Sequence, residues 1–207
     1  MGKQNKVSLL MRRLIFIPIY LMKVVNLISI VQAYKGLSKP LYESYFNFFN
    51  VYPKANELID LESYIEQLQQ INPDFNVLDN YYLGYTIPQI SKEFDLLRFS
   101  DDCVVNIELK STNTGPKIYL QLIRNQYYLS FLKKKIYSFT YVSSEKLLYT
   151  LDDNQVLMLV EFKELFQILA NQNVMEIPNI DGLFNPSNYL VSPFNSTEEF
   201  IEGKYFL

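Results

Sequence analysis

Histidine is absent from this 207-residue sequence, and the only cysteine is Cys103. Without histidine, catalysis by Ser–His or Cys–His pairs is excluded, as is zinc bound through imidazole. A single cysteine excludes an intrachain disulfide and a thiolate metal cluster, and it fits a reducing, intracellular setting. Any catalysis must therefore rest on carboxylates, lysine, tyrosine, serine or threonine. A hard metal ion held by carboxylates is the leading option for an active site.

A large excess of charge is also lacking, because the formal net charge is −3. Attraction of nucleic acid by the whole surface is therefore not expected, and a local basic patch would have to supply it. Hydrophobic residues make up 49% of the chain and charged residues 20%, which are values of a folded globular protein. The length suits one domain with a substantial core.

A long uninterrupted apolar run is lacking as well, although residues 14–31 come closest to one. Pro18 and Lys23 interrupt this run, whereas a membrane-spanning helix needs roughly 20 consecutive apolar residues. No small-residue cleavage site marks a signal peptide. We expect translation to start at Met22, with residues 1–21 a dispensable extension of a cytoplasmic protein. A membrane-associated protein is the alternative that rests on this region alone.

The spacing of apolar residues predicts the main elements of the fold. Helical periodicity indicates helices over residues 22–35, 41–49, 56–70, 117–131 and 161–170. Alternation and turn signals indicate strands over residues 92–99, 104–110, 136–142, 146–151 and 156–160. This order predicts one α/β (or α+β) domain over residues 22–178, with a mixed sheet flanked by helices. Residues 179–207, rich in Asn, Ser and Pro, are expected to form a loop-rich tail or linker.

Acidic residues and a lysine share faces of the predicted hairpin. Side chains two apart on a strand point the same way, so Glu93 and Asp95 share a face, as do Glu108 and Lys110. With a four-residue loop over 100–103, Asp95 lies opposite Glu108, and Glu93 lies opposite Lys110. Directly opposed carboxylates repel each other, and a divalent cation between them reverses the sign of that interaction. The alternative is an ordinary solvated sheet face with a salt bridge.

Asp95, followed on the next predicted strand by Glu108-Leu109-Lys110, resembles the D…ExK signature of PD-(D/E)xK nucleases. The resemblance implies a restriction-endonuclease-like core in which Asp95 and Glu108 bind Mg²⁺, with Mn²⁺ able to substitute. It also implies that Lys110 assists the attacking water. Phe94 stands where the family has its proline, a departure that divergent members share.

The helix after the hairpin adds polar candidates. Gln121, Asn125 and Tyr128 fall at i, i+4 and i+7, hence on one helix face, and Arg124 is close by. In the nuclease family, residues of this helix contact phosphate or place the metal-bound water. The resemblance therefore implies a catalytic role for Gln121 and substrate binding by Arg124, Asn125 and Tyr128. The alternative for all four is an exposed helix face.

Further charged residues are candidates for completing the site. Lys133 and Lys134 are candidates for binding phosphate, although a basic run at a helix end is more often simply solvated. Glu43, Glu57 and Glu93 are alternatives for an additional acidic residue, and the sequence does not choose among them.

A closer resemblance links four runs of the sequence to the N-terminal nuclease-like domain of bacterial nuclease–superfamily 1 helicase proteins. These runs are residues 93–97, 106–110, 125–129 and 188–194. Some such proteins act in phage defence. The sequence has no G-x-x-x-x-G-K-[ST] loop for ATP, so the resemblance implies the nuclease part alone, with a helicase as partner. It could be a fragment, a truncated product or a stand-alone version.

The sequence thus predicts a Mg²⁺-dependent nuclease, with DNA the favoured substrate. The main alternative is a nuclease-like module that binds nucleic acid or protein without turnover. Opposed carboxylates argue against this alternative, because a pure phosphate binder gains nothing from them.

Overall fold

The computed structural model describes residues 22–73, 75–88 and 90–185. Its α-helices are α1 (Leu27–Gly36), α2 (Lys39–Phe49), α3 (Ala55–Ile71), α4 (Pro116–Ser130) and α5 (Phe162–Asn171). Its strands are β1 (Tyr82–Ile87), β2 (Lys92–Phe99), β3 (Cys103–Lys110), β4 (Lys135–Val142), β5 (Leu147–Leu151) and β6 (Leu157–Val160). Short 3₁₀ helices cover Phe75–Leu78 and Ile180–Leu183. The predicted extension, 1–21, and the tail beyond 185 lie outside the described residues.

The described strands form one six-stranded sheet whose neighbours follow chain order, β1 to β6. The pairs are antiparallel except for β3 and β4, which run parallel. A parallel pair needs a crossover connection, and α4 provides it. The prediction of an α/β fold with a mixed sheet and flanking helices is therefore confirmed.

Helices cover both faces of the sheet. The larger core lies where β3 and β4 pack against α1, α3 and α5, with Leu61, Ile107 and Leu165 among its fully buried side chains. On the other face, α4 packs against β4 and β5 through Ile118 and Leu122. Strand β3 therefore lies between two layers of helix. No helix in the described part of the chain is long and apolar enough to cross a bilayer.

The first helix begins later than its apolar periodicity predicts. Residues 22–26 are extended, and Val25 exchanges two backbone hydrogen bonds with Tyr81 at 2.8 and 3.0 Å. Asn26 then caps α1, since its side-chain oxygen accepts a hydrogen bond from the Ser29 backbone N–H at 3.1 Å. An asparagine cap outweighs the apolar pattern that precedes it.

The register predicted for the central hairpin is confirmed. Phe99 lies opposite Val104, and the ladder continues with the same register to Leu96 and Ile107. Ser100 closes the turn, because its Oγ accepts a hydrogen bond from the Cys103 backbone N–H at 3.1 Å.

Strand β1 is the element that sequence reasoning missed. Its middle residue, Gly84, has φ of +71°, in the left-handed region that favours glycine. Leu83 pairs with Leu96 in the larger core, whereas the pair Tyr85 and Phe94 belongs to a separate aromatic core. The side-chain direction therefore changes between these two pairs. An interior glycine and a broken alternation both hide a strand from pattern analysis.

Candidate active site

Asp95 lies where β2 separates from β3. The printed register ends one residue earlier, at Leu96 and Ile107. Instead of a ladder bond, the Asp95 Oδ2 accepts a hydrogen bond from the backbone N–H of Leu109 at 2.8 Å. Beyond this point β2 pairs only with β1, and β3 pairs only with β4. The sheet thus opens at the level of Asp95 and Glu108.

The carboxylate of Glu108 is held from α4. Glu108 is 1% exposed, and Asn125 Nδ2 donates a hydrogen bond to its Oε1 at 2.7 Å. Gln121 Nε2 donates to the other oxygen. The predicted face of α4 is therefore turned towards the sheet at Gln121 and Asn125, and it is not an exposed helix face. This contact also shows that Asn125 positions a carboxylate, in contrast to its predicted contact with substrate.

The electrostatics of this carboxylate pair are unusual. Burial, followed by the charge of Asp95, raises the pKa of Glu108 to about 8, while Lys92 and Lys110 act in the opposite direction. Burial likewise raises the pKa of Asp95, against the Leu109 N–H and the charge of Lys110. Two buried carboxylates at this separation disfavour each other's charged form.

Lys110 lies at the end of β3, where its charge acts on both carboxylates, as the sequence predicts. Sequence reasoning missed a second lysine, Lys92, whose charge acts on the same pair. The pKa of Lys92 is lowered, chiefly by burial. Strict alternation would place Lys92 and Asp95 on opposite faces. The change of side-chain direction near Gly84 was the signal that could have linked them.

The structure distinguishes among the three candidates for an additional acidic residue. Glu57 and Glu93 line a pocket of about 250 Å³ together with Asp95, and the charge of Glu57 raises the pKa of Asp95. Glu57 is fixed at the start of α3, where it accepts a hydrogen bond from the Lys54 backbone N–H at 2.9 Å. Glu43 instead faces Lys39 at 3.8 Å on an exposed part of α2.

Glu93 does not lie opposite Lys110 as the hairpin register predicts. It pairs with Thr86 of β1 instead, because β2 has left β3 by that point. Glu93 therefore contributes its charge to the pocket from the outer strand.

Within residues 22–73, 75–88 and 90–185, no group of three or more acidic, histidine or cysteine side chains is arranged to hold a metal ion. Asp95 and Glu108 form a two-carboxylate set. Mg²⁺ is commonly bound through one or two carboxylates, with waters and substrate phosphates completing its coordination. The donor chemistry of the pair therefore fits a hard divalent cation.

Other polar atoms around Glu108 are buried without a hydrogen-bond partner among the described residues. They are Asn106 Oδ1, Asn125 Oδ1 and Thr140 Oγ1. Thr140 is the β4 partner of Glu108, and Asn106 lies two residues before it on β3. Unsatisfied buried groups are rare in folded proteins and concentrate at functional sites.

The remaining predicted substrate contacts are dispersed. Arg124 is exposed on α4 and lines a second pocket, of about 500 Å³, near the site. Tyr128 lines the same pocket but is only 9% exposed. Lys133 is exposed in the turn after α4, with φ of +55°. Lys134 donates hydrogen bonds to the backbone carbonyls of residues 100 and 101 at 2.7 and 2.6 Å.

Lys133 and Lys134 are not brought to the carboxylate pair. They precede Lys135, which is the β4 partner of Cys103 at the start of β3. Lys110 lies at the other end of that strand, about 23 Å away at ~3.3 Å per residue. These two lysines therefore lie at the opposite end of the sheet.

Taken together, the described residues define an α/β protein whose mixed sheet opens at a carboxylate pair flanked by two lysines. Comparison of the chain with protein-family models, with curated proteins and with solved structures finds no match. Its function is therefore inferred from the chemistry of the site and from the motif that forms it.

Proposed function

We propose that this protein is a metal-dependent nuclease of the PD-(D/E)xK class that hydrolyses phosphodiester bonds in DNA, with Asp95, Glu108 and Lys110 as its catalytic centre. The observation that carries the proposal is the burial of Glu108 beside a second carboxylate, at the point where β2 and β3 separate. Such an arrangement costs free energy unless a cation compensates it. A fold gains nothing from it unless the site binds one.

The topology supports the same class. An antiparallel meander of β1, β2 and β3 leads through α4 to a parallel β4. Helices lie on both faces of this sheet. This is the mixed-sheet arrangement expected of a restriction-endonuclease-like core, with the acidic residues on its two central strands.

Each residue of the centre has a distinct role in the proposal. A bound Mg²⁺ would supply an activated water and neutralise charge on the phosphate. Asp95 and Glu108 would hold it, and the Leu109 N–H fixes the orientation of Asp95. Gln121 and Asn125 fix that of Glu108.

Lys110 would orient the attacking water or stabilise the charge that develops on the phosphate. Its position at the end of β3 places its charge beside both carboxylates. The role of Lys92, whose charge acts on the same pair, is treated below together with the pocket that it lines.

The test is a cleavage assay on labelled single- and double-stranded DNA with Mg²⁺, Mn²⁺ or EDTA. We expect metal-dependent cleavage by the wild-type protein, and its loss in Glu108→Gln and in Lys110→Ala. Glu43→Gln is the matched control, because it removes an acidic charge that lies exposed on α2. Cleavage by Glu108→Gln at the wild-type rate would overturn the proposal.

One observation favours a second candidate, a nuclease-like module that binds DNA without turnover. Both oxygens of Glu108 already accept amide hydrogen bonds, and no group of three metal-binding side chains occurs among the described residues. The same assay separates the two candidates. Binding of DNA without cleavage under any metal condition would support the module.

A further inference from the structure

A pocket of about 500 Å³ opens beside the carboxylate pair, between α4, the turn before β2 and the turn between β5 and β6. We name it the α4 pocket. Its lining includes Ile90, Lys92, Arg124, Gln126, Tyr127 and Gln155. Two cations line it and no carboxylate does. Its volume lies in the range of small-ligand sites, roughly 300–1,000 Å³.

The charges of the α4 pocket suit a phosphate. Arg124 is exposed, and no Asp or Glu among the described residues forms an ion pair with it. Lys92 belongs both to the pocket and to the electrostatic surroundings of Asp95 and Glu108. A phosphodiester chain that enters the pocket would therefore continue towards the carboxylate pair.

Tyr127 gives the pocket a fixed aromatic wall. Its ring contacts Tyr128 at 5.2 Å and Phe131 at 5.3 Å between centroids, both edge to face. These contacts hold the ring from its neighbours on α4, and Tyr127 remains half-exposed. Pre-oriented aromatic rings next to cations are the usual platforms for unpaired bases, because every base has a face that stacks.

We propose that the α4 pocket binds one unpaired nucleotide of a DNA strand, with its base against Tyr127 and its phosphate at Arg124. The pocket would thereby select single-stranded DNA or single-stranded ends as the substrate. A base inside a duplex must first leave its stack to reach such a site. The link to cleavage rests on the proposed nuclease function, whereas binding in the pocket does not.

The first test measures binding without turnover. Fluorescence anisotropy of labelled oligo(dT), and of a blunt duplex of equal length, is followed in EDTA. We expect the wild-type protein to bind oligo(dT) more tightly than the duplex. Tyr127→Ala should weaken oligo(dT) binding about 5-fold or more, since stacking contributes roughly 1–3 kcal/mol per base. Tyr127→Phe retains the ring and should bind like the wild type.

The second test uses the salt dependence of binding. Each phosphate contact with single-stranded DNA contributes roughly 0.7 to the slope of log affinity against log salt. Arg124→Ala should reduce the magnitude of the slope by about this amount, and Arg124→Lys should restore it. Lys163→Ala removes an exposed charge on α5, at the larger core, and serves as the matched control.

The outcomes separate this inference from the proposed function. Wild-type oligo(dT) affinity in both Tyr127→Ala and Arg124→Ala would overturn the α4 pocket even if the protein cleaves DNA. Duplex binding as tight as oligo(dT) binding would also overturn it. Loss of affinity in these two variants, in a protein that cleaves nothing, would support the pocket while the nuclease proposal fails. Arg124 is exposed, so its substitution tests the inference even if Tyr127→Ala does not fold.

Discussion

Asp95 and Leu109 are joined by a hydrogen bond of 2.8 Å between the carboxylate Oδ2 and the backbone N–H. The bond takes the place of a strand-to-strand bond, so β2 and β3 remain connected where their ladder has ended. Glu108 is thereby left beside Asp95 in a partly opened sheet. The same contact that fixes one carboxylate thus creates the setting of the other.

Asp95→Asn tests this relationship. The amide oxygen of asparagine can still accept the Leu109 N–H, so we expect the fold to persist. The charge is lost, however, and the pKa of Glu108 should fall below its value of about 8, because the charge of Asp95 helps to raise it. An NMR titration of the Glu108 carboxyl group measures this shift, and the cleavage assay should show loss of activity. An unchanged Glu108 titration would show that the two carboxylates do not interact.

Asn125→Leu tests the support that α4 gives to Glu108. Asn125 is fully buried and donates to the Glu108 carboxylate at 2.7 Å. Loss of this donor should reduce the free energy of unfolding by about 1–3 kcal/mol, the range for hydrogen bonds to charged groups. Urea unfolding measures the change. Asn113→Leu is the control, because Asn113 is exposed and its amide contacts other exposed groups. Equal stabilities of the two variants would contradict the role of Asn125.

The central hairpin could be predicted from sequence because its information is local. The turn over 100–103 fixes the pairing of Phe99 with Val104, and every later pair follows from that register. The same rule failed for Glu93, since it assumes that two strands stay paired along their length. The separation of β2 from β3 depends on the Asp95 side chain and on β1, which competes for β2 as its partner.

The missed parts of the site depend on contacts distant in sequence. Lys92 joins the carboxylates only because the side-chain direction changes near Gly84, on a strand that pattern analysis did not find. Glu57 reaches the pocket from α3, and only the packing of that helix against the sheet selects it over Glu43. Periodicity reports which face of an element is apolar, but it does not report which elements meet.

The stability of the metal-free protein should depend on pH through Glu108. The folded protein retains the Glu108 proton up to a pKa of about 8, whereas the ordinary value is 4.5. Between these values the unfolded chain binds fewer protons than the folded one, so the contribution of Glu108 to stability falls as pH rises. Lys92 has the opposite sense at more alkaline pH, because its pKa is lowered in the fold.

We therefore expect Tm in EDTA to fall between pH 6 and pH 8.5, a window that spans the upper part of this range. Glu108→Gln mimics the protonated side chain and should reduce this dependence. Glu164→Gln, on the exposed face of α5, is the control and should leave the dependence unchanged. A Tm profile of Glu108→Gln parallel to that of the wild type would contradict the assigned pKa.

Asp60 should position Lys110 from a distance. Asp60 is 5% exposed on α3 and accepts hydrogen bonds from the hydroxyl groups of Ser111, at 2.6 Å, and of Ser143. Ser143 in turn donates its backbone N–H to the Lys110 carbonyl at 2.8 Å. Asp60 therefore holds the chain immediately after the catalytic strand. Because a misplacement of about 1 Å can cost roughly 100-fold in rate, Asp60→Ala should lower kcat substantially.

A positioning role predicts a specific kinetic pattern for Asp60. KM should change little in Asp60→Ala, since Asp60 contacts Ser111 and Ser143 and lies outside the α4 pocket. Asp60→Asn retains one acceptor oxygen and should recover part of kcat. Glu66→Ala removes an exposed acidic residue from the same helix and should leave both constants unchanged. If Asp60→Ala unfolds at a lower temperature but retains the wild-type kcat below its Tm, Asp60 stabilises the fold alone and does not position Lys110.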